Sequence, residues 1–348
     1  MELSMQKMSL EQPPVGRGPP CVKCKRACAG FQPHPWRKSC ELCHCLREEH
    51  TLSTEVEEDH RIGQLLSDTA YSGLTARVKG SDGLRVYKRN RMIITNPITS
   101  RKDPTFVTVT YEWAPPGISQ KLAMRYMELI PKKSQPLAGT EGAHHRRIQL
   151  LRQLPPYDYD PAHCQGLAEG EKPAMATFVK QYKENAMGVG EVLLPGSMKV
   201  EEENHNAEKT TNGTEECNGK TDHLCELCQQ LLPGDAPAVR SDRAGTKKQW
   251  HPACFICSHC REPLVNLIHF WKNDRLWCGR HYCESERPRC AGCDEIIFSE
   301  DYRQLDGKFW HKEHFSCLVC EQILTERPYV PIRGQPMCVA CSKDKATH

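Results

Sequence analysis

Cysteine and histidine residues recur at a fixed spacing in the last third of the chain. Between residues 225 and 341 they form eight pairs, and two residues separate the members of each pair. Thiolates and imidazoles spaced in this way can lie on one side of a tight turn, and two such turns complete the tetrahedral set of sulfur and nitrogen ligands that zinc prefers. The sixteen candidate ligands are Cys225, Cys228, His251, Cys254, Cys257, Cys260, Cys278, His281, Cys290, Cys293, His311, His314, Cys317, Cys320, Cys338 and Cys341.

The order of the pairs indicates how they share metal. Only two residues separate the second pair from the third in each half of the repeat, which favours consecutive pairing: first with second, third with fourth. This gives two zincs per half and four in all. Protein fills every ligand position, so the zinc is structural, since catalytic zinc keeps one position open. A disulfide framework leaves the interleaved histidines unexplained, and the opening sequence MELSMQKMSLEQPP is too polar for a signal peptide.

A second cysteine-rich block lies near the start of the chain and offers enough ligands for two more zincs. Its candidate ligands are Cys21, Cys24, Cys28, His34, Cys40, Cys43, Cys45 and His50. We predict one zinc on Cys21, Cys24, Cys40 and Cys43, and another on Cys28, His34, Cys45 and His50. His44 is also available. A cross-paired arrangement, as in the zinc modules of ubiquitin ligases, stays open here.

The chain divides into small segments by composition. With 348 residues and twenty-one cysteines, it is expected to use metal in place of one large apolar core. We expect a disordered start (1–20), a cysteine-rich zinc module (21–60), a mainly helical domain (85–199), a polar flexible linker (200–222) and two zinc-stabilised modules of β-hairpins with a short helix (223–288 and 289–348).

The central region has no metal-ligand pattern and reads as helical. Ser119 and Thr140 are positioned to cap helices, and a third amphipathic helix is predicted from about Pro173. The acidic stretch 51–61 is predicted to be solvated. Lys88, Arg89 and Arg91 form a basic cluster that we interpret as an exposed charged surface.

Charge and motifs exclude several classes of function. The formal net charge is +3, but twelve zinc-bound thiolates and four zincs would change it to about −1, which argues against direct sequence-specific nucleic-acid binding. No apolar run reaches the roughly 18 residues of a membrane span, so no membrane partner is expected. Cys164, Cys217 and Cys283 lie outside the ligand sets, but no phosphate-binding glycine loop or HExxH helix accompanies them. We therefore predict that the chain is not an enzyme.

The cysteine-rich repeat resembles the LIM domain, twice over. Its two-residue central spacer and the aromatic positions Trp250, Phe255, Trp310 and Phe315 match that family. The segments YEWAPPG (111–117), RYMELIP (125–131), YDYDPAHCQGL (157–167) and FVKQYKENAMGVGEV (178–192) resemble the PET domain. A cysteine-rich start, one PET domain and two LIM modules together resemble the PET-LIM family.

This resemblance implies a protein–protein adaptor. It further implies a transcriptional cofactor or corepressor in the cytoplasm and nucleus, which binds GATA-class zinc-finger transcription factors and blocks their binding to DNA. The alternative is a cytoskeletal, adhesion or sarcomeric scaffold that binds cytoskeletal proteins, as in testin-like relatives.

Overall fold

In the computed structural model, the chain forms two compact units. The structure describes residues 21, 23–24, 28, 30–46, 49–50, 54–78, 83–98, 105–195, 223–245 and 247–346. The larger unit comprises Thr54–His163 and Glu169–Arg287, and the smaller comprises Met1–Ser53, Cys164–Ala168 and Pro288–His348. The predictions for residues 1–20 and 200–222 lie outside the described residues.

The larger unit contains five α-helices and ten strands among its described residues, besides short 3-10 helices. The helices are α1 (Glu55–Leu66), α2 (Gln120–Glu128), α3 (Glu141–Gln153), α4 (Lys172–Asn185) and α5 (Gly279–Glu286). The strands are β1 (Thr75–Arg77), β2 (Arg85–Tyr87), β3 (Met92–Ile98), β4 (Thr105–Tyr111), β5 (Met187–Val189), β6 (Glu191–Leu193), β7 (Ala238–Arg240), β8 (Gln249–Trp250), β9 (Ile268–Lys272) and β10 (Arg275–Trp277). All strand pairs are antiparallel, in the orders β1-β2, β3-β4, β10-β9-β5 and β6-β7-β8.

The predicted helix starts of the central region are confirmed by their caps. The Ser119 hydroxyl accepts a hydrogen bond from the Leu122 N–H at the start of α2, and the Thr140 hydroxyl accepts one from the Ala143 N–H at the start of α3. The region is not purely helical, however. Strands β3 and β4, of seven residues each, pair as an antiparallel hairpin ahead of α2. The β-branched residues in each strand favour extended backbone.

The acidic stretch 51–61 is not simply solvated. Helix α1 begins at Glu55, capped by Thr54, and continues through the end of the predicted cysteine-rich module to Leu66. Its Glu58 is fully buried and binds Arg89 with an Oε2–Nη2 distance of 2.9 Å. Arg89 Nε also donates to Asp59, at 2.8 Å. The acidic residues of α1 are therefore the partners of basic residues elsewhere in the chain, since buried charges require partners.

The predicted basic surface is wrong for Arg89 and holds for Lys88 and Arg91, which are exposed. Arg89 is buried against Glu58 and Asp59, and Arg91 is paired with Glu55. Of the three basic residues only Lys88 has an exposed side chain outside any ion pair among the described residues, and its Nζ donates to the Gly73 carbonyl. Arg89 therefore contributes to the folded core, whereas Lys88 and Arg91 lie at the surface.

The helical region and the first LIM module share two β-sheets. Strand β5 pairs with β9 and strand β6 pairs with β7, so the continuous segment Met187–Leu193 adds one strand to each hairpin of the module. A Cβ on Gly188 would lie 2.6 Å from the His269 ring, which explains why glycine stands at this close approach. Arg243 of the module donates from Nε to the Met187 carbonyl and from Nη2 to the Lys183 carbonyl, close to the end of α4.

A buried histidine lies at the centre of this junction. The Ser241 hydroxyl lies 2.6 Å from Nε2 of His269, and Nδ1 lies 3.1 Å from the Leu267 carbonyl. The carbonyl can only accept, so Nδ1 carries the proton and Nε2 accepts from Ser241. Burial lowers the pKa of His269 to about 4. The junction is therefore built around a neutral imidazole.

The smaller unit contains the second LIM module and the N-terminal cysteine-rich block. Its strands are β11 (Tyr302–Leu305), β12 (Lys308–His311), β13 (Tyr329–Ile332) and β14 (Gln335–Cys338), followed by α6 (Val339–Ala346). They form two antiparallel hairpins, β11-β12 and β13-β14. A small core lies between the hairpins, with Trp310, Phe315 and Met337 packed beside the buried cysteines. In neither unit is any described helix both long enough and apolar enough to cross a bilayer.

Removing the buried carboxylate of α1 should strongly destabilise the larger unit. We expect Glu58→Ala to lower the free energy of unfolding by about 3–5 kcal/mol, because it removes the fully buried carboxylate that faces both Arg89 and Arg146, and Asp59 remains a partner of Arg89 alone. Urea denaturation of the zinc-loaded chain measures this. Glu128→Ala, which removes an exposed carboxylate at the end of α2, is the matched control and should change it by less than about 0.5 kcal/mol. Equal effects of the two substitutions would contradict the buried network.

The neutral His269 should make stability depend on pH. Its folded pKa of about 4 lies below the unfolded value of 6.5, so the unfolded chain binds the proton first as pH falls. Between pH 7.0 and 5.5 this linkage should remove about 1.2 kcal/mol from the free energy of unfolding. His269→Gln, which has no titrating group, should lack this part of the loss. Identical pH profiles for the two proteins would show that the junction tolerates a charged imidazole.

Candidate metal centres

Five Cys-x2-Cys turns among the described residues share one backbone conformation. They begin at Cys40, Cys225, Cys257, Cys290 and Cys317. In each turn the N–H of the first cysteine donates to the carbonyl five residues later, at 2.8 or 2.9 Å. The residue after the second cysteine has a φ between 56° and 65°. This left-handed residue reverses the chain and leaves both thiols on the same side of the turn.

The first LIM module brings its eight predicted ligands together in two groups of four. In each group the sulfur and nitrogen atoms lie within 4.8 Å of one another. The groups are Cys225, Cys228, His251 and Cys254, then Cys257, Cys260, Cys278 and His281. Consecutive pairs therefore meet, as the short spacer predicts.

The second LIM module repeats this arrangement. Its groups are Cys290, Cys293, His311 and His314, then Cys317, Cys320, Cys338 and Cys341. The first of these is fully buried and uses two histidines, whose Nδ1 atoms lie 3.2 Å apart. The Nδ1 atoms of His311 and His314 lie 3.4 and 3.6 Å from the sulfurs of Cys293 and Cys290.

These separations fit zinc. A tetrahedron with ligands at roughly 2.0–2.3 Å from the metal has edges of about 3.3–3.8 Å. The Cys228 sulfur lies 3.4 Å from Nδ1 of His251, and the sulfurs of Cys320 and Cys338 lie 3.8 Å apart. Four protein ligands complete each tetrahedron, so the LIM groups have the composition of closed, structural zinc sites.

Contacts of the ring nitrogen that does not face the cysteines orient two of the histidines. Nε2 of His251 lies 3.2 Å from the Leu231 carbonyl, so this nitrogen carries the proton and Nδ1 turns its lone pair toward the cysteines. His281 has its Nε2 4.0 Å from the Glu284 carboxylate on the next turn of α5. Both imidazoles thus present Nδ1 to their group, the atom nearest the cysteine sulfurs.

In two of the groups, one thiol has a lowered pKa even without the ion's charge. The hydrogen bond with the Cys278 side chain lowers the pKa of Cys257 to about 3, and the same contact raises the pKa of Cys278. Likewise, the hydrogen bond with the Cys293 side chain lowers the pKa of Cys290 to about 2. In these two groups one thiolate thus faces a neighbouring thiol, and a divalent ion would favour loss of the remaining protons.

The N-terminal block groups its ligands differently from our prediction. Cys28, Cys40, Cys43 and His50 form one group within 4.8 Å, with the Cys43 sulfur 3.3 Å from Nε2 of His50. Cys21 contacts Cys24 and Cys45 instead. Burial opposes ionisation of Cys21, but hydrogen bonds with Cys24 and Cys45 lower its pKa to about 7. The predicted combination of Cys21 and Cys24 with Cys40 and Cys43 is replaced by this division.

The prediction of His34 as a ligand is not supported, and the alternative His44 is not a ligand either. His34 is buried, but its Nε2 lies 3.0 Å from Oε1 of Glu321 and its Nδ1 accepts from the N–H groups of Trp36 and Arg37. Both ring nitrogens are thus used outside the metal group. His44 is exposed and supplies the left-handed residue of the Cys40 turn, with a φ of 56°. The structure therefore argues against His34 and His44 as ligands.

The N-terminal block packs directly against a metal group of the second LIM module. The Trp36 ring stacks on the candidate ligand His314, with centroids 4.9 Å apart and planes at 14°. A Cβ on Gly292 would lie 3.0 Å from Trp36. The spacing of cysteines and histidines contains no signal for Trp36, because its role depends on a contact distant in sequence.

A single carboxylate ties three segments of the smaller unit together. Glu295 is buried and accepts hydrogen bonds from the N–H groups of Gln165 and Gly166, at 2.6 and 2.8 Å. It also pairs with Lys38 of the N-terminal block. A Cβ on Gly166 would lie 2.9 Å from the His314 ring and 3.0 Å from the His311 ring, so glycine is needed where this loop meets the metal group.

Comparisons with known proteins agree with these modules. The PET Domain family matches residues 92–193, and the LIM domain family matches residues 225–286 and 290–346. LIM and cysteine-rich domains protein 1 of Sus scrofa is 57% identical over 99% of this chain and 97% of its own length; the Homo sapiens protein is 56% identical over 98% and 96%. Testin of Rattus norvegicus is 48% identical over 98% of this chain and 83% of its own length.

The regrouped N-terminal ligands predict different effects for two histidines. The zinc-loaded chain should contain about six zincs, and His50→Ala should lower the zinc content by one equivalent because it removes a ligand. His34→Ala should leave zinc content unchanged, since its ring binds Glu321 instead. Elemental analysis of the purified proteins measures both. Loss of one zinc equivalent on both substitutions would restore the original grouping, in which His34 and His50 bind the same zinc.

Proposed function

Because the chain belongs to the PET-LIM family that includes LIM and cysteine-rich domains protein 1 and testin, we propose that it is a non-enzymatic adaptor that binds other proteins. The closed metal groups carry this proposal. Each LIM group has four protein ligands, so no ligand position is left for a substrate or an activated water. The zinc then stabilises a rigid module whose surface is available for recognition.

The structure of the first LIM module supports this role. Both of its hairpins pair with strands of the preceding PET region, and Arg146 of α3 donates to the Asn266 side chain at 3.0 Å. The module thus binds polypeptide through backbone edges and through single polar side chains. Two LIM modules in one chain provide two such surfaces, and bivalent binding raises the effective concentration at the second surface.

We further propose a transcriptional role. The chain would act in the cytoplasm and nucleus as a corepressor that binds GATA-class zinc-finger transcription factors and keeps them from DNA. A charge near −1, counted with the four LIM zincs and before the N-terminal cysteines, and the internal pairing of Arg89 and Arg91 favour masking of a basic partner over contact with DNA. A basic DNA-binding finger is a suitable partner for a surface without excess positive charge.

A gel-shift titration tests this role. Purified zinc-loaded protein should lower the amount of a GATA-class factor bound to its DNA site, without a slower ternary band, because the factor is sequestered. Cys290→Ser should relieve the effect, since removing a ligand unfolds the second LIM module. Lys88→Ala, an exposed surface change, should leave it intact. A supershifted complex, or retention of bare DNA by this protein alone, would reject sequestration.

The cytoskeletal scaffold remains the competing proposal, and cell fractionation distinguishes the two. A corepressor should be enriched in nuclei when its transcription factor is co-expressed. A scaffold should co-sediment with actin structures and show no dependence on that factor. Co-sedimentation without nuclear enrichment would support the scaffold and reject the corepressor role.

A further inference from the structure

The two hairpins of the first LIM module show how this fold accepts an extended segment. Strand β6 adds to the outer edge of β7, and β5 adds to the outer edge of β9. The seven residues Met187–Leu193 therefore cross the module as one continuous strand-like segment. The Glu191 carboxylate binds Arg240 on the neighbouring strand, at 2.6 Å. Backbone pairing and one cross-strand ion pair together define this binding mode.

The second LIM module has the same hairpins without a third strand from the described residues. Trp250 pairs with Val239, and its counterpart Trp310 pairs with Arg303, so β11 corresponds to β7. By the same alignment Gln304 corresponds to Arg240. The residue before Cys278 pairs with Phe270, and the residue before Cys338 pairs with Val330, so β13 corresponds to β9. Within the described part of the chain, each of these sheets has two strands.

The outer edge of β11 is ready for pairing. Asp306 and Gly307 form a two-residue turn with φ values of 46° and 74°. In such a hairpin the residues that flank the turn, Leu305 and Lys308, form a hydrogen-bonded pair, and the pairs alternate from there. Tyr302 and Gln304 therefore turn their N–H and C=O groups away from β12.

The outer edge of β13 is less suitable. Its turn has the same form, so Tyr329 and Pro331 face outward. Pro331 stands where Trp271 donates its N–H to the Ala186 carbonyl in the first module, at 2.9 Å. Proline has no N–H, so one of the bonds that holds β5 cannot form on β13. Of the two edges, β11 offers the complete set of backbone donors.

We propose that the outer edge of β11 binds an extended segment of a partner protein by antiparallel strand addition, and that this segment carries an acidic residue opposite Arg303. In the first module the corresponding pair is Val192 opposite Val239. Arg303 replaces valine with a cation, and a directly opposed carboxylate is its natural cross-strand partner. This proposal rests on the adaptor function and names the surface and chemistry through which it acts.

The present partner of Arg303 does not prevent this contact. Arg303 Nη1 lies 3.1 Å from Asp301, which also binds Lys312 at 3.0 Å. All three side chains are at least one-third exposed. Exposed ion pairs contribute little to stability, and Asp301 would keep Lys312 if Arg303 turned to an incoming carboxylate.

The chain itself supplies a probe of the required form. A nine-residue peptide with the sequence of residues 186–194 and the change Val192→Glu places a carboxylate opposite Arg303. A second peptide with Val192→Lys is its charge-reversed control. In the full chain the native segment already occupies the first module at high effective concentration, so the peptide has only the second module to bind.

Fluorescence anisotropy of the labelled peptides with the zinc-loaded full chain tests the proposal. The glutamate peptide should bind at least tenfold more tightly than the lysine peptide, and Arg303→Glu should reverse that preference. Gln304→Pro should weaken binding of the glutamate peptide at least fivefold by removing an outward N–H. Gln304→Ala, which keeps the N–H, should have no effect. Pro331→Ala should strengthen binding severalfold because it restores the missing donor on β13.

Amide hydrogen exchange keeps the test decisive if Gln304→Pro fails to fold. Addition of the glutamate peptide should slow exchange at the Tyr302 and Gln304 N–H groups of the unaltered chain. Unchanged exchange there would overturn the proposal, even if the chain still removes the transcription factor from DNA. Protection already present in the free chain, and lost on deletion of residues 1–20, would also overturn it by showing an internal occupant. Peptide binding without any effect on the factor would instead reject only the transcriptional role.

Discussion

Closure of four ligands around each metal is the constraint on which the cysteine-rich modules depend. The second LIM module, for example, has a small apolar core, in which Trp310, Phe315 and Met337 pack beside the cysteines. A core of this size cannot offset the conformational entropy of its chain, so metal binding must supply folding free energy. The repeated Cys-x2-Cys turn meets this requirement locally, because its hydrogen bonds and one left-handed residue orient two ligands before the others arrive.

Regular spacing of the ligands made the LIM groups predictable, and irregular spacing limited the prediction for the N-terminal block. In the LIM repeat, ligands occur in regular pairs, so consecutive pairing leaves little choice. Between Cys21 and His50 the spacings vary, and residue type alone cannot show that His34 binds Glu321, which is 287 residues away in sequence. His44 follows the second cysteine of its turn, a position that adopts a left-handed conformation in all five such turns, and its side chain is exposed.

Outside the metal groups, local signals predicted helices and missed long-range partners. The caps at Ser119 and Thr140 depend on residues three positions apart, and the sequence displays them directly. The pairing of Glu58 with Arg89, and of Met187–Leu193 with the first LIM module, joins segments that are far apart. An acidic helix face and a glycine-rich strand look like solvated surface and linker until their partners are known. For the acidic helix, the sequence contains one signal of its partners: the acidic residues Glu55, Glu58 and Asp59 are matched by the basic residues Arg89 and Arg91.

The two LIM modules are alike in metal chemistry and different in what their edges can still bind. In the first module, Met187–Leu193 occupies both hairpins, and Trp271 supplies one of the donors that hold it. In the second, Pro331 removes the equivalent donor and Arg303 replaces an apolar position with a cation. Neither change affects a candidate zinc ligand, so the modules can diverge in recognition without loss of stability. The zinc groups fix the backbone of each hairpin, and the residues on its outer strand then determine which segment can add to it.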